Sequence, residues 1–172
     1  MKDGEILKVI KERRSIRKYA NKEVKKQSIE KLIEAARWSP SGGNLQPYII
    51  KAVRGEKACK VTTFSPGLYG DPPVILVFCI DEKQFKEKGG DEPIKYMDIA
   101  VAAQNVCLEA TNINLGTCFS RSFNKEAVKK ILDIEEKLEP ELLVTVGHPD
   151  KIPSPPEKKS LDELLEWVDW DE

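Results

Sequence analysis

Apolar positions along this chain recur with two periods, one helical and one extended. Ile6, Leu7 and Ile10 share a face at helical spacing and predict a helix over residues 3–12, with Asp3 as its cap. Ile29, Leu32, Ile33 and Ala36 repeat that spacing and predict a second helix that begins near Ser28 and stops before Pro40. Residues 48–53 and 74–80 read as strands, the second apolar on both faces and therefore central in a sheet. A short helical stretch and a Gly/Pro turn region lie between them. The longest helix is expected over residues 93–114, with Lys95, Asp98, Asn105, Glu109 and Asn112 confined to one narrow polar stripe. So broad an apolar surface calls for burial either in a subunit interface or at the centre of the core. Residues 116–120 and 142–147 predict two more strands, and 124–133 another helix. The proline-rich run 151–156 reads as an extended segment over a surface. Beyond it Ser160 and Glu163 form a capping box for Leu161, Leu164, Leu165 and Val168, and the acidic, Trp-containing end either docks on a neighbour or frays. Helices mixed with strands without regular βαβ alternation give an α+β class, a mixed and mainly antiparallel sheet flanked by helices.

Length and composition narrow this picture. A chain of 172 residues with 40% hydrophobic content buries one substantial core, so residues 1–172 are expected to form one domain, completed or not by a partner chain. Basic and acidic residues nearly cancel, 28 against 29, so no overall field recruits nucleic acid or an anionic membrane, and any anion site must be local. The apolar run 74–80 is too short to span a bilayer and the N-terminus is not signal-like, which predicts a cytoplasmic protein. Cys59, Cys79, Cys107 and Cys118 are far apart in sequence and His148 stands alone, so no metal site is expected and the cysteines read as buried, reduced thiols.

Two segments carry candidate chemistry. In Arg13-Arg14-Ser15-Ile16-Arg17, residues two apart share a face of an extended segment, so Arg13, Ser15 and Arg17 converge while Ile16 turns inward. Two guanidinium forks and a hydroxyl suit the oxygens of a phosphate; the plainer alternative is a solvated basic face continuing Lys8, Lys11 and Lys18. The second segment, Ser39-Pro40-Ser41-Gly42-Gly43-Asn44-Leu45-Gln46-Pro47, joins flexible backbone to hydroxyl and amide groups able to line the edge of a flat heteroaromatic ring. It also reads as an ordinary helix-to-strand connection.

Taken together, at this distance and in this order, the two segments resemble the N-terminal signature of the nitroreductase family. The resemblance continues through Asp98-Ile99-Ala100-Val101-Ala102-Ala103-Gln104-Asn105-Val106, Leu115-Gly116-Thr117-Cys118-Phe119 and Val146-Gly147-His148-Pro149, while residues 55–95 fit loosely. It implies FMN as cofactor, with Arg13, Ser15 and Arg17 on its phosphate and Arg14 assisting. Pro40, Ser41, Gly42 and Asn44 would approach the isoalloxazine from the other subunit of a homodimer, the long helix lying in the interface, with Gln46 supporting that loop. Ser120 and Arg121 would lie near the ring, although other members commonly place smaller residues there. Lys158 and Lys159 match a stretch that often supplies further phosphate contacts.

The chemistry so implied is transfer of hydride from NADH or NADPH through the flavin to a small electrophilic acceptor in ping-pong fashion, with no catalytic side chain required. His148 and Cys118 read as structural. The acceptor stays open among a nitroaromatic, a halogenated phenol, an enone, a quinone or flavin itself. The alternatives in other classes are a flavin-binding dimeric module without nicotinamide-dependent turnover and a nucleic-acid arm through residues 11–26. The chain is short for the family: residues 64–73 leave little room for a helical excursion over the acceptor pocket, so the site is either more open or completed by a loop from residues 84–93.

Overall fold

In the computed structural model, which describes residues 4–170, the strands form one antiparallel sheet in the order β1-β2-β4-β3. β1 is Tyr48–Arg54, β2 Val74–Asp81, β3 Gly116–Ser120 and β4 Leu138–Gly147. Around it lie α1 (Glu5–Glu12), α2 (Lys26–Arg37), α3 (Glu56–Thr63), α4 (Glu82–Glu87), α5 (Glu92–Asn112) and α6 (Lys125–Leu132). The α+β class and the antiparallel sheet expected from the sequence are thus what the chain forms.

The apolar alternation of β2 explains the layering. Val74, Leu76, Phe78 and Ile80 turn to one face, where they meet Leu32 and Ala36 of α2 and Ile99, Ala103 and Val106 of α5. Ile75, Val77 and Cys79 turn to the other and pack with Ala58 and Val61 of α3 and Val128 of α6. With helices on both sides, β2 and its neighbour β4 are buried along nearly their whole length. Local signals set the ends: the Asn124 side chain accepts from Ala127 N at 2.9 Å to start α6, and Asp133 closes it in the left-handed conformation.

Several expectations are corrected. β4 begins at Leu138 rather than 142, because Pro140 is accommodated at a register shift opposite Phe78 and Cys79. Residues 82–87, assigned no element from the pattern, form α4, started by the Asp81 side chain accepting from Gln84 N. They are helix where an extra loop was one option. The capping box at Ser160 does close, Ser160 N donating to Glu163 Oε2 at 2.8 Å, yet only turns follow it. Residues 151–170 are exposed throughout, and so short a segment with nothing to pack against does not hold a helix. Asp3, the expected cap of α1, lies outside the described residues.

The polar stripe of α5 does not face solvent along its whole length. Lys95 and Asp98 are buried, while Met97 and Val101 stand exposed at 65% and 39%. The helix is therefore a core helix on one side and carries an uncovered apolar face on the other. Of the four free cysteines only Cys79 and Cys107 are buried; Cys118 is half-buried and Cys59 exposed. Among the described residues no helix is long and apolar enough to cross a membrane.

Candidate functional site

After α1 the chain runs along the free edge of β3. Ser15 bridges Thr117, Ile16 N donates to Thr117 O at 2.8 Å, and the Ile16 side chain is 3% exposed. Alternation then places Arg13, Ser15 and Arg17 on the face away from Ile16. Arg13 and Ser15 are half-buried and Arg17 is exposed, its guanidinium 5.9 Å from the centroid of the Tyr69 ring. Among the described residues neither Arg13 nor Arg17 is ion-paired with a carboxylate.

Arg14 lies on the other side. Its Nη1 donates to Lys11 O at 2.6 Å and to Arg13 O at 2.8 Å, tying down the carbonyls at the end of α1. With Ile16, Leu115, Ile152, Pro153 and Pro155 it lines a cavity of about 450 Å³ beneath the proline-rich segment. The clamp backbone is fixed from below by Tyr19, whose hydroxyl donates to Ile16 O at 2.7 Å and lies 2.5 Å from Thr145 Oγ1. Burial pushes the Tyr19 phenol well above its ordinary pKa. Burial likewise pushes the Cys107 thiol up to about 11, so it stays protonated despite the nearby Arg13 charge.

The loop after α2 is fastened to the first half of α5. Ser39 is buried and its Oγ accepts from Asn105 Nδ2 at 2.7 Å; Gly42 N donates to Asp98 Oδ1 at 3.0 Å. A side chain at Gly42 would run into Ile94, so glycine is what lets the loop lie on the helix. Ser41 Oγ accepts from Gln46 N and Asn44 Oδ1 accepts from Gln46 Nε2, both at 3.0 Å. Asn44 and Gln46 hold φ of 55° and 47°, a left-handed backbone that residues other than glycine adopt at a cost. Pro40, Asn44 and Gln46 are exposed, while Ser41 and Gly42 are half-buried.

No described hydrogen bond or ion pair joins these two segments, which meet α5 at different heights. Asp98, under the loop, and Cys107, near the clamp, are nine residues apart on α5, about 13 Å along the helix. Ser120 does join the clamp's neighbourhood, through the Gly/Pro turn region between β1 and β2, to which the sequence assigned no role at the site. Gly67 N donates to Ser122 O at 3.0 Å, a Cβ on Gly67 would meet Ser122 Cβ at 2.8 Å, and two residues further on Tyr69 carries Arg17. The glycines at 67 and 70 were the available signal for that close approach. Arg121 turns to Tyr96 and Glu141. Lys158 and Lys159 are exposed on the C-terminal arm, outside any described contact with the clamp. His148 lies just past β4 and its carbonyl accepts from Ala20 N.

Four buried side-chain atoms have no hydrogen-bond partner among the described residues: Arg14 Nε, Asp98 Oδ2, Ser120 Oγ and Glu141 Oε2, the last held in ion pairs. The first three lie beside the clamp, beneath the loop and at the end of β3. Buried polar groups are ordinarily satisfied, so these three exceptions, each at a separate place, single out the candidate segments.

The sequence pattern of the nitroreductase family matches residues 10–66 and 57–148. A protein of Archaeoglobus fulgidus that carries the name NADH dehydrogenase/NAD(P)H nitroreductase is 31% identical, over 84% of this chain and 86% of its own length. One of the same name from Methanothermobacter thermautotrophicus is 29% identical, over 87% and 80%. Among solved structures, a nitroreductase from Desulfovibrio desulfuricans in complex with FMN superposes with a TM-score of 0.86 at 25% identity, covering 99% of this chain and all of that one.

Proposed function

The chain belongs to the nitroreductase family, and from that premise we propose that it is an FMN-dependent oxidoreductase, taking hydride from NADH or NADPH and reducing a small electrophilic acceptor such as a nitroaromatic or a quinone in ping-pong fashion. The observation that carries this reading is the pair Arg13 and Arg17, set either side of Ser15 without a carboxylate partner. Two cations on one face of a segment, with no described carboxylate beside them, gain from an anion bound between them.

The residues present fit FMN. A phosphate matches the clamp, and the ring's carbonyls and nitrogens match donors such as Ser120 Oγ, which lies at the far end of the strand that carries the clamp. When bound, FMN supplies the hydride chemistry at its N5. The protein's part is positioning. Arg13, Ser15 and Arg17 hold the phosphate; Arg14 holds the turn that presents them. Pro40, Ser41, Gly42, Asn44 and Gln46 offer amide and hydroxyl groups to the ring, their backbone stiffened by Asp98 and by the Ser41 and Asn44 bonds to Gln46. Donors on the pyrimidine edge stabilise the negative charge that reduction places there. Residues 1–172 act as one FMN-binding domain.

A site split between two ends of α5 becomes whole in a homodimer. Met97 and Val101 would then be covered by a second copy, and the C-terminal arm, with Leu161, Leu164, Trp167, Val168 and Trp170 exposed, would lie on that neighbour and bring Lys158 and Lys159 toward its phosphate site.

The test is the visible spectrum of the protein reconstituted with FMN and given NADH or NADPH without oxygen. Bleaching that reverses on adding a nitroaromatic or quinone is expected. Flavin that binds and does not bleach overturns the reductase in favour of a flavin-binding module, and absence of flavin binding overturns the cofactor assignment.

A further inference from the structure

The strand that carries the clamp near its start leads into a second group of cations at its end. Arg121 follows Ser120, and its guanidinium stacks 4.9 Å from the centroid of the Tyr96 ring. Lys95 Nζ lies 4.8 Å from the same ring, is buried, and meets Glu82 Oε1 at 2.6 Å. Burial works against the Lys95 charge, and the bond to Glu82 together with the Coulombic pull of Glu82, Tyr96 and Glu141 leaves its pKa raised. Glu141, only 2% exposed, has Lys125 Nζ 2.8 Å from its Oε2, whereas Arg121 Nη2 stands 3.6 Å from that oxygen. Among the described residues Lys125 holds Glu141 more closely than Arg121 does and Lys95 meets Glu82, so Arg121 is the loosely held cation of the group. Its side chain is 62% exposed.

A guanidinium held over an aromatic ring keeps its hydrogen-bonding capacity, and with only Nη2 near Glu141 the other N–H groups of the exposed side chain still offer a planar fork. That fork matches a carboxylate or phosphate bidentately; a neutral amide or nitro group gains far less from it. Resting on the reading above, in which the flavin ring lies by Ser120 at the end of β3 and the acceptor must reach that ring, we infer that Arg121 is a specificity-determining residue that recognises an oxyanion. The favoured acceptors are then aromatic or quinoid molecules that carry a carboxylate. The 2′-phosphate of NADPH offers the same chemistry from the donor side, and the experiment separates the two sources.

Binding of 4-nitrobenzoate and 4-nitrobenzamide to the oxidised, flavin-loaded protein is measured by calorimetry without reductant, for wild type, R121Q and R121K, alongside turnover of both compounds and of NADH and NADPH. The expected result is a carboxylate-to-amide affinity ratio that falls about fivefold to tenfold in R121Q, is partly restored in R121K, and falls for wild type in high salt. The ratio of kcat/KM values should follow it. An unchanged ratio in flavin-loaded R121Q overturns the inference and leaves the reductase reading standing. A variant that changes only NADPH-to-NADH discrimination assigns the oxyanion to the donor and overturns the acceptor assignment. Loss of flavin from R121Q, read from its visible absorbance, makes Arg121 a cofactor ligand and likewise overturns it. A wild-type protein that takes up no flavin overturns the reading beneath it, and this inference with it.

Discussion

A Cβ built on Gly116 would stand 2.7 Å from the Cβ of Ile16, so the clamp segment lies against β3 at a distance that only glycine permits. Ile16 is held there by its bond to Thr117 O and by burial. In G116A one of the two must withdraw. The expected outcome is a loss of about 1–3 kcal/mol of stability, together with weaker flavin binding because Arg13, Ser15 and Arg17 move with Ile16. Denaturant unfolding and flavin titration check both parts. A variant of wild-type stability and flavin affinity would mean the segment shifts freely.

Replacing Arg13 and Arg17 together by Ala should release FMN and leave the fold intact. Both side chains lie outside the apolar core, and neither supports a described ion pair whose loss would cost stability. Charges outside the core and without a described ion pair contribute little to folding, whereas charge-assisted bonds to a phosphate contribute about 1.5–3 kcal/mol each. Losing two lowers flavin affinity by at least about a hundredfold on the same scale. Visible absorbance after desalting and far-UV circular dichroism measure the two quantities. Stoichiometric flavin in the double variant would remove the phosphate assignment.

What was legible in the sequence follows from which forces act locally. The four strands were legible because apolar runs such as residues 74–80 have one stable location, the middle of a sheet covered on both faces. The start of β4 was hidden because Pro140 argues against a strand unless a bulge receives it, and the bulge depends on the partner strand. The clamp's alternation was legible from residues two apart. The separate role of Arg14 was not, because it depends on where the carbonyls of Lys11 and Arg13 point once α1 ends. Nor was the tie between Gly67 and Ser122, a contact across more than fifty residues in a stretch with weak periodicity. The missing C-terminal helix is the reverse case: its local capping signal is genuine and its bonds form, but a helix this short needs a surface to pack on.

Alkaline pH should unfold the protein, and Tyr19 should account for part of that sensitivity. Its phenol is raised above the ordinary 10.0, chiefly by burial, and it bonds to Ile16 O. An unfolded tyrosine releases its proton near pH 10 while the folded one keeps it, so the stability contribution is complete below pH 10 and drains away as pH rises beyond. Cys79 and Cys107, both pushed up to about 11 by burial from 9.0, act with the same sign from about pH 9. Urea unfolding between pH 7 and 11 should show this fall. Y19F should flatten it above pH 10, at a cost of about 1 kcal/mol at neutral pH for the lost hydrogen bonds. A slope identical to wild type would mean that the Tyr19 phenol ionises within the folded protein.

Val101 offers the sharpest test of assembly. It lies one turn beyond Met97 on the outer face of α5, 39% exposed, while Ala102, Ala103 and Val106 on the inner face are fully buried. A charge at Val101 therefore faces solvent in an isolated chain and costs the fold little, whereas in the proposed dimer it would be buried without a partner, which is costly. V101E should sediment as a monomer with wild-type helix content. Flavin should be lost with the partner, because in the proposed dimer residues 40–46 of one chain close on the flavin held by the clamp of the other. A monomeric V101E that still binds FMN as tightly as wild type would place the whole site in one chain, and a V101E that remains a dimer would move the interface to another face.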